Sequence, residues 1–597
     1  MHTSPPSTLA KTRLAGGALL LLLISFAFSS AFALMALTQL YTELLLDSGL
    51  STTLIQSEID AFSRQQLWLA LPIVLGAGLL LLAVTAWRIP STPAQWSLRS
   101  VGWPLFAVSG SAQLLALGLY VVNFIEHAPS SGASHAALLD TLLEIGTTLL
   151  VAILLFFELV ILLLKVLQAS NRQDARTVTP VDPASMRPAV FLFLFGVDLS
   201  AAFVPLHMAD LYQPLLGLPK DMVMGLPISA MFLSVSITIV VSGIWLDRRG
   251  WHEPFLTGVA LVAVAKLYAW LAPSAVHFIA AMGMVGLGYG LTLMASQGFV
   301  IVQTDDKSKA RGLAYLFAGI YAGSICGTAA GAMLAERIGY RPVFLLSAII
   351  VFLLLLYTLT AMRGAIRQSK PRRDTASAAP LPTSVSARDY WNFLRNRHVL
   401  GLIFLSSLPS AIAVIGFLNF FGPVYLDRLG YSESTIGAVL ILYGLCMVYL
   451  GPLLSHYIDR ASSKRVFVII GCLLGGCAFL SFYFFTGFVA SVIAVVLLGL
   501  SSCLVLASQT TYALTLDVTK QLGQGRAIGL FRASSRLGQM IGPMLFGWLI
   551  VTTDINQGIT YFGLAYLSTA VLFALVTREK PIFRQALLRY RKAPAHG

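Results

Sequence analysis

Long apolar runs alternate with short polar connections along almost the entire chain. Each run is about 20 residues long, the length that an α-helix needs to cross a bilayer. The first run contains Ala31-Phe32-Ala33, which is similar to a signal-peptidase site, but its length favours a retained helix. The pattern predicts an all-α polytopic membrane protein. Four leading spans are expected near residues 14–37, 66–87, 101–125 and 138–164, with a polar external segment at 38–65.

A second, longer series of apolar runs begins at Pro188 and predicts twelve further spans, sixteen in all. They are expected near residues 188–212, 223–246, 255–272, 276–303, 312–335, 342–361, 399–422, 436–457, 466–487, 489–514, 525–549 and 560–577. The stretch after the sixth is polar, basic and interrupted by proline, which is typical of a linker. The predicted organisation is an N-terminal membrane region at 1–176, six-helix halves at 188–362 and 399–577, a cytoplasmic linker at 363–398 ending in a short interfacial helix, and a basic cytoplasmic tail at 578–597.

Composition and charge agree with this class of protein. The chain is 57% hydrophobic and 11% charged, more apolar than a soluble domain needs. Its net charge of +14 could indicate a protein that binds nucleic acid, but most of its 40 lysines and arginines lie in one set of alternating loops. This is the positive-inside asymmetry of a multi-spanning protein. It predicts a bacterial-type inner-membrane protein surrounded by lipid, with both termini cytoplasmic and no nucleic-acid partner.

Three groups of residues recur in the same order in the two halves. In the first group, Asp247-Arg248 before Phe255 matches Asp459-Arg460 before Phe467. In the second, Ala295-Ser296-Gln297 before Asp305 matches Ala507-Ser508-Gln509 before Asp517. In the third, Arg311, Gly323 and Gly327 match Arg526, Gly538 and Gly542. Internal repeats of this kind are typical of transporters built from two related halves. Because the twelve later spans form two matched halves, the four leading helices are expected to be dispensable for translocation.

The connection between the second and third of the twelve spans has the pattern G-x-x-x-D-R-x-G, from Gly243 to Gly250. This pattern between two spans resembles the loop between helices 2 and 3 of the major facilitator superfamily. The resemblance covers about two thirds of the chain and leaves the four leading helices outside it. It implies a secondary transporter and not an enzyme, with two halves that rock about a central cavity. The partners it implies are a small-molecule substrate and protons, without a cofactor.

The resemblance also implies a cytoplasmic gate. Asp247 would face the start of the eleventh helix, where free amides and the helix dipole favour an anion. Arg248 or Arg249 would pair with Asp305 while the inner face is closed. Alternatively, Asp247 and Arg248 are solvated turn charges. The expected gate residues are Gly243, Asp247, Arg248, Asp305, Asp459, Arg460 and Arg526.

Glycines recur every fourth residue from Gly319 to Gly331 in the fifth span, and the eleventh span nearly repeats this. Small residues at this spacing let helices approach closely in lipid. The glycines indicate either ordinary helix packing or, by the resemblance, the interface between the rocking halves. Gly542-Pro543 is similar to an antiporter signature, but the first half has Thr328 instead of the proline, which weakens an efflux assignment.

Charged residues inside spans are costly and are therefore candidates for function. Asp198, near the middle of the first core span, is a candidate proton or cation site, or the partner of a basic residue. Arg536 lies deep in the eleventh span and needs an anion, for which Asp198, a lipid phosphate and a substrate carboxylate are candidates. The expected substrate or coupling residues are Asp198, Gln297, Asn419, Gln509, Arg532 and Arg536.

The remaining polar residues refine this prediction only slightly. Lys266 is expected on a peripheral helix, within reach of the outer interface, and Glu158 is expected to need a partner. The five cysteines show no metal-ligand spacing and no disulfide framework. The function that fits best is proton-coupled transport of a small solute, with an organic anion as one candidate. A membrane sensor or transceptor and a lipid or glycolipid flippase are the alternatives, because fold does not choose the substrate.

Overall fold

The structure is a computed structural model of the 597-residue chain and is all-helical over the residues it describes. The described residues are 6–47, 52–90, 96, 98–127, 135–172, 185–215, 217–303, 309–368, 387–460, 463–522 and 524–578. The basic tail from 579 onwards and residues 369–386 of the linker lie outside them. The end of the linker forms helix α13, Ala387–Arg395, with Trp391 64% exposed, and its position at the membrane interface stays a prediction.

Four long helices form the leading region. They are α1 (Pro6–Asp47), α2 (Thr52–Trp87), α3 (Trp103–His127) and α4 (His135–Arg172). With 42 residues, α1 is about 63 Å long and exceeds the thickness of a bilayer core. Most of the polar segment expected at 38–65 is therefore helical, because α1 and α2 continue beyond their apolar parts.

The next helices form the first part of the core. They are α5 (Met186–Asp198), α6 (Val204–Asp210), α7 (Lys220–Arg249), α8 (His252–Leu271), α9 (Ala275–Gln303), α10 (Lys309–Ile338), α11 (Tyr340–Ala361) and α12 (Arg363–Gln368). After α13 come α14 (Arg397–Leu400), α15 (Leu408–Gly416), α16 (Gly422–Arg428), α17 (Glu433–Leu445), α18 (Gly451–Arg460), α19 (Lys464–Phe484), α20 (Gly487–Thr515), α21 (Asp517–Leu522), α22 (Gln524–Thr552) and α23 (Ile555–Val576). Short π-helical segments link α14 to α15, α15 to α16, and α17 to α18.

The chain divides into two compact units whose limits differ from the predicted halves. The first unit contains Met1–Arg373 and Leu418–Val448, and the second contains the rest. Helices α16 and α17 therefore belong to the first unit, although the sequence repeat assigns them to the C-terminal half.

Fewer helices than predicted are individually long and apolar enough to be membrane spans. In the described part of the chain, 14 helices are long and apolar enough to cross a membrane, which corrects the expected sixteen. The span expected at 188–212 breaks into α5 and α6, with 13 and 7 residues, so neither piece is long enough. The span expected at 525–549 lies in α22. With 29 residues this helix is long enough, but its sequence is too polar for it to count among the 14 candidate spans.

The glycine faces of α10 and α22 pack within their own units. A Cβ atom added at Gly331 of α10 would overlap the carbonyl oxygen of Leu199, just after α5. One added at Gly542 of α22 would lie 2.9 Å from the carbonyl oxygen of Ile412 in α15. Each glycine face therefore lets its helix approach the first helix of the same repeat. This favours the helix-packing interpretation over an interface between the halves.

Candidate functional site

The first core span is interrupted at mid-length. Helix α5 ends at Asp198 and regular helix resumes only at Val204. In between, the backbone amide of Ala201 donates to the Asp198 carbonyl at 3.0 Å, and that of Phe203 donates to the Ser200 carbonyl at 3.2 Å. A broken span leaves two helix ends inside the membrane, and their backbone groups need partners there.

Lys266 of α8 supplies one such partner and was missed as a functional candidate. Its side chain is 0% exposed, so the expectation that it reaches the outer interface was wrong. Its ammonium donates to the Val197 carbonyl at 2.8 Å and to the Ser200 hydroxyl at 2.6 Å, and lies 5.6 Å from the centre of the Phe344 ring. A cation is favourable at the C-terminal end of a helix, where carbonyl groups lack partners. A lysine in an apolar run was the signal, since a buried charge requires a nearby acceptor.

Asp198 lies beside this lysine. Ser324 of α10 and Lys266 both lie near its carboxylate and stabilise the charged form electrostatically. Asp198 is partly exposed, whereas Lys266 is fully buried. The structure therefore brings together an accessible acid, a buried cation and a helix break. An acid in this position can hold its negative charge against the lysine or lose that charge by taking up a proton.

The corresponding positions of the second half are uncharged. At the interval that relates Asp247 to Asp459, Asp198 corresponds to Ser410 and Lys266 to Ala478. The symmetry of the repeat does not require a charge pair at this position. The pair in the first half is thus a feature added to the common helical framework.

The polar residues expected to contact substrate have different surroundings. The side-chain amide of Gln509 donates to the Ser406 hydroxyl at 2.7 Å, and Ser406 contacts the sulfur of Cys472 at 3.1 Å. Because Gln509 is 4% exposed, its amide is engaged in packing inside the second unit. Gln297 and Asn419 are partly exposed.

The arginines of α22 are described only in part. The guanidinium of Arg536 donates to the side-chain oxygen of Gln539, one turn further along the helix, at 2.7 Å. Arg536 is partly exposed, so part of its side chain faces space outside the packed helices. The side chain of Arg532 lies outside what the structure describes. Gln539 orients the Arg536 guanidinium and was not singled out in the sequence.

The α7–α8 connection is as short as expected. It turns at Gly250, whose φ of 80° lies in the left-handed region that favours glycine. Across the turn, Glu253 accepts a hydrogen bond from the Trp245 indole at 3.1 Å and pairs with Arg249 at 3.5 Å. A Cβ added at Gly243 would meet no atom within 4 Å, so the tight connection does not depend on that glycine.

The cytoplasmic gate itself stays a prediction. Arg248 is exposed, and Arg249 is engaged by Glu253 on its own side of the turn. Asp305 is outside the described residues, and so are the side chains of Asp247, Asp459, Arg460 and Arg526.

At the end of the core that the sequence places outside, α16 and α17 are tied to other helices of the first unit. Arg428 of α16 forms an ion pair with Asp221 of α7. The Tyr340 hydroxyl of α11 donates to Glu433 of α17 at 2.8 Å. A Cβ added at Gly444 of α17 would overlap the side chain of Ile325 of α10, so these two helices are in close contact. These contacts join α16 and α17 to α7, α10 and α11 within the first unit.

Comparison with known families gives one match over most of the core. A family model described as the Major Facilitator Superfamily matches residues 188–519 and 432–595. The four leading helices lie outside this match.

Several curated proteins are similar to the chain at low identity. Multidrug resistance protein Stp of Mycobacterium tuberculosis is 23% identical over 419 residues, covering 61% of this chain and 76% of that protein. Multidrug resistance protein 2 of Bacillus subtilis is 22% identical, covering 66% of this chain and 94% of that protein. Probable anion transporter 4, chloroplastic, of Oryza sativa is 27% identical over 150 residues, covering 25% of this chain and 24% of that protein.

Solved structures share the fold of the core. A bacterial homolog of the human lysosomal transporter Spinster, in an inward-facing and occupied conformation, matches with a TM-score of 0.51 and 14% identity, covering 66% of this chain and 97% of that chain. A POT family transporter in complex with 5-aminolevulinic acid matches with a TM-score of 0.52 and 14% identity, covering 65% and 95% respectively.

Proposed function

Because this chain belongs to the Major Facilitator Superfamily, we propose that it is a proton-coupled secondary transporter in which Asp198 and Lys266 form the coupling pair. The observation that carries the proposal is Lys266, fully buried and hydrogen-bonded to the broken end of α5 beside Asp198. A lysine and an acid inside a membrane protein are costly, and residues of this kind are typical of proton pathways.

The proposed coupling follows from the charges. With Asp198 ionised, its attraction to Lys266 holds α5 against α8 across the break. Protonation of Asp198 removes this attraction, and Lys266 then relies on the Val197 carbonyl and the Ser200 hydroxyl alone. The segment between α5 and α6 can respond, because the amides of Ala201 and Phe203 make i→i−3 hydrogen bonds there instead of the regular α-helical pattern. Proton uptake would thus change the shape of a core helix during alternating access.

The direction of transport is proposed from the relatives. The names of the Mycobacterium and Bacillus proteins favour export of organic compounds, and exchange for protons is the mode that fits a proton-binding acid. We place the protein in an inner membrane with both termini in the cytoplasm and with halves at 188–362 and 399–577. The second candidate substrate class is an organic anion, favoured by the partly exposed Arg536.

Transport in proteoliposomes tests the coupling. A pH gradient should drive accumulation of a substrate by the unaltered protein, whereas Asp198→Asn should exchange substrate but no longer accumulate it. The amide keeps the size of the side chain but cannot take up or release a proton. Gradient-driven accumulation by Asp198→Asn would exclude the proposed site. Failure of the unaltered protein to move any small solute would favour a sensor, and scrambling of labelled lipid would favour a flippase.

Arg536 decides between the two substrate classes. A guanidinium that binds a substrate carboxylate should be replaceable only poorly by lysine, because lysine cannot form the bidentate pair. Arg536→Lys should then raise KM for anionic substrates by about tenfold, while leaving neutral ones and the pH profile unchanged. Gln539→Ala is the matched control, since it removes the orienting partner but keeps the charge. An equal effect of Arg536→Lys on neutral and anionic substrates would argue against an anion site.

A further inference from the structure

A groove on the surface of the first unit lies where the leading region meets the core. It has a volume of about 500 Å³ and is open to its surroundings. One face of α1, from Ala31 to Thr42, forms most of its wall. Ser63 of α2 and Arg337 near the end of α10 complete it. Both α1 and α10 are long and apolar enough to cross a membrane.

The chemistry of the groove changes along α1. Ala31, Leu34 and Met35 make its inner end apolar, whereas Thr38 and Thr42 bring hydroxyl groups to its outer end. The distance from residue 31 to residue 42 along a helix is about 16 Å. A phospholipid has the same order of groups, with acyl chains toward the membrane centre and ester and phosphate groups toward the surface.

Arg337 places a charged group at the polar end. Its guanidinium is 29% exposed and lies 4.0 Å from carboxylate oxygens of Glu144 on α4 and Glu336 on α10. These distances are longer than hydrogen bonds, so the guanidinium retains N–H groups for another acceptor. The second oxygen of Glu336 accepts from the backbone amide of Ser434 at 3.1 Å, which fixes the carboxylate in place. The groove is lined by one cation, Arg337, and the carboxylates of Glu144 and Glu336 lie beside that cation.

We propose that this groove binds a phospholipid with an ethanolamine headgroup. The phosphate would accept hydrogen bonds from Arg337, and the ammonium would donate to Glu144 or Glu336. The two carboxylates make a headgroup with a net negative charge unfavourable. A choline headgroup fits less well, because its quaternary nitrogen has no N–H group to donate. The lipid would thereby join α1 and α2 of the leading region to α10 of the core.

Lipid titration of the full-length protein tests the site. The delipidated protein in detergent is titrated with phosphatidylethanolamine, phosphatidylcholine or phosphatidylglycerol, and bound lipid is counted by native mass spectrometry. Ethanolamine lipid should bind about tenfold more tightly than either of the others. Inorganic phosphate or ethanolamine alone should not compete at equal concentration, because neither fills the apolar end. Equal affinity for the three lipids, or full competition by phosphate, would overturn the proposal.

Two variants locate the site. Arg337→Gln should abolish the preference for the ethanolamine lipid, whereas Arg341→Gln, an exposed arginine at the start of α11, should keep it. Ala31→Trp fills the apolar end without touching any ion pair and should reduce binding of the ethanolamine lipid about tenfold even if Arg337→Gln fails to fold. Unchanged lipid binding in Ala31→Trp would show that the groove is not the binding site.

Discussion

Replacing Lys266 with methionine should abolish proton-driven transport and destabilise the protein. The substitution removes the donor to the Val197 carbonyl and the Ser200 hydroxyl and leaves the Asp198 carboxylate without its cation. Removal of one partner from a buried charge pair typically costs about 3–5 kcal/mol. Gradient-driven transport in proteoliposomes and thermal unfolding in detergent measure the two effects.

A double variant separates coupling from folding. Asp198→Asn combined with Lys266→Met removes both charges and should recover much of the lost stability, but not proton-driven accumulation. Lys220→Met is the matched control, because Lys220 is an exposed lysine at the start of α7 and its loss should leave transport unchanged. Normal accumulation by Lys266→Met would remove the basis of the coupling pair. Recovery of accumulation in the double variant would show that the pair serves only folding.

Removing the leading region should prevent stable folding of the core. Glu158 of α4 is 1% exposed and accepts hydrogen bonds from the Arg187 Nε of α5 at 3.1 and 3.2 Å. The Arg187 guanidinium also lies over the Tyr315 ring of α10, 4.4 Å from its centre. A chain that begins at Thr177 would leave this arginine without its carboxylate, at a cost of about 3–5 kcal/mol. The expectation from the sequence, that these helices are dispensable, took no account of this pair.

The contacts of α4 extend well beyond this ion pair. The Thr148 hydroxyl lies 3.8 Å from the sulfur of Met333, and the sulfur of Cys326 lies 4.0 Å from the Val151 carbonyl. Thr148, Val151 and Glu158 share one face of α4, because they follow the helical repeat. The leading region is therefore packed along α10 and α5.

A compensated truncation tests which contact matters. The chain from Thr177 onwards should give little folded protein, measured by size-exclusion chromatography, whereas the same chain with Arg187→Leu should give more. In the full-length protein, Glu158→Gln should lower the melting temperature, while Glu126→Gln, at an exposed position near the end of α3, should not. Full yield and full transport from the uncompensated truncated chain would show that the leading helices are an independent addition.

Some features of the candidate site were predictable and others were not. Asp198 and Glu158 could be singled out, since a carboxylate in an apolar run needs a partner or a function wherever it lies. Their partners could not, because Lys266 and Arg187 are 68 and 29 residues away in the sequence, and only packing brings them close. The break after Asp198 was also missed, because the residues around it are as apolar as a continuous span.

The sequence by itself determined that this is a multi-spanning helical protein of two related halves. The reason is local: a span must be long and apolar to satisfy its backbone within the bilayer, and repeated motifs keep their spacing. Only the tertiary structure decided that the first core span is broken, that Lys266 donates a hydrogen bond to the end of α5 at the break, and that the glycines of α10 face α5. Each of these three features depends on which helices are neighbours in the folded protein. The hydropathy of the sequence does not reveal the neighbours, because a helix face in contact with lipid is as apolar as one in contact with another helix.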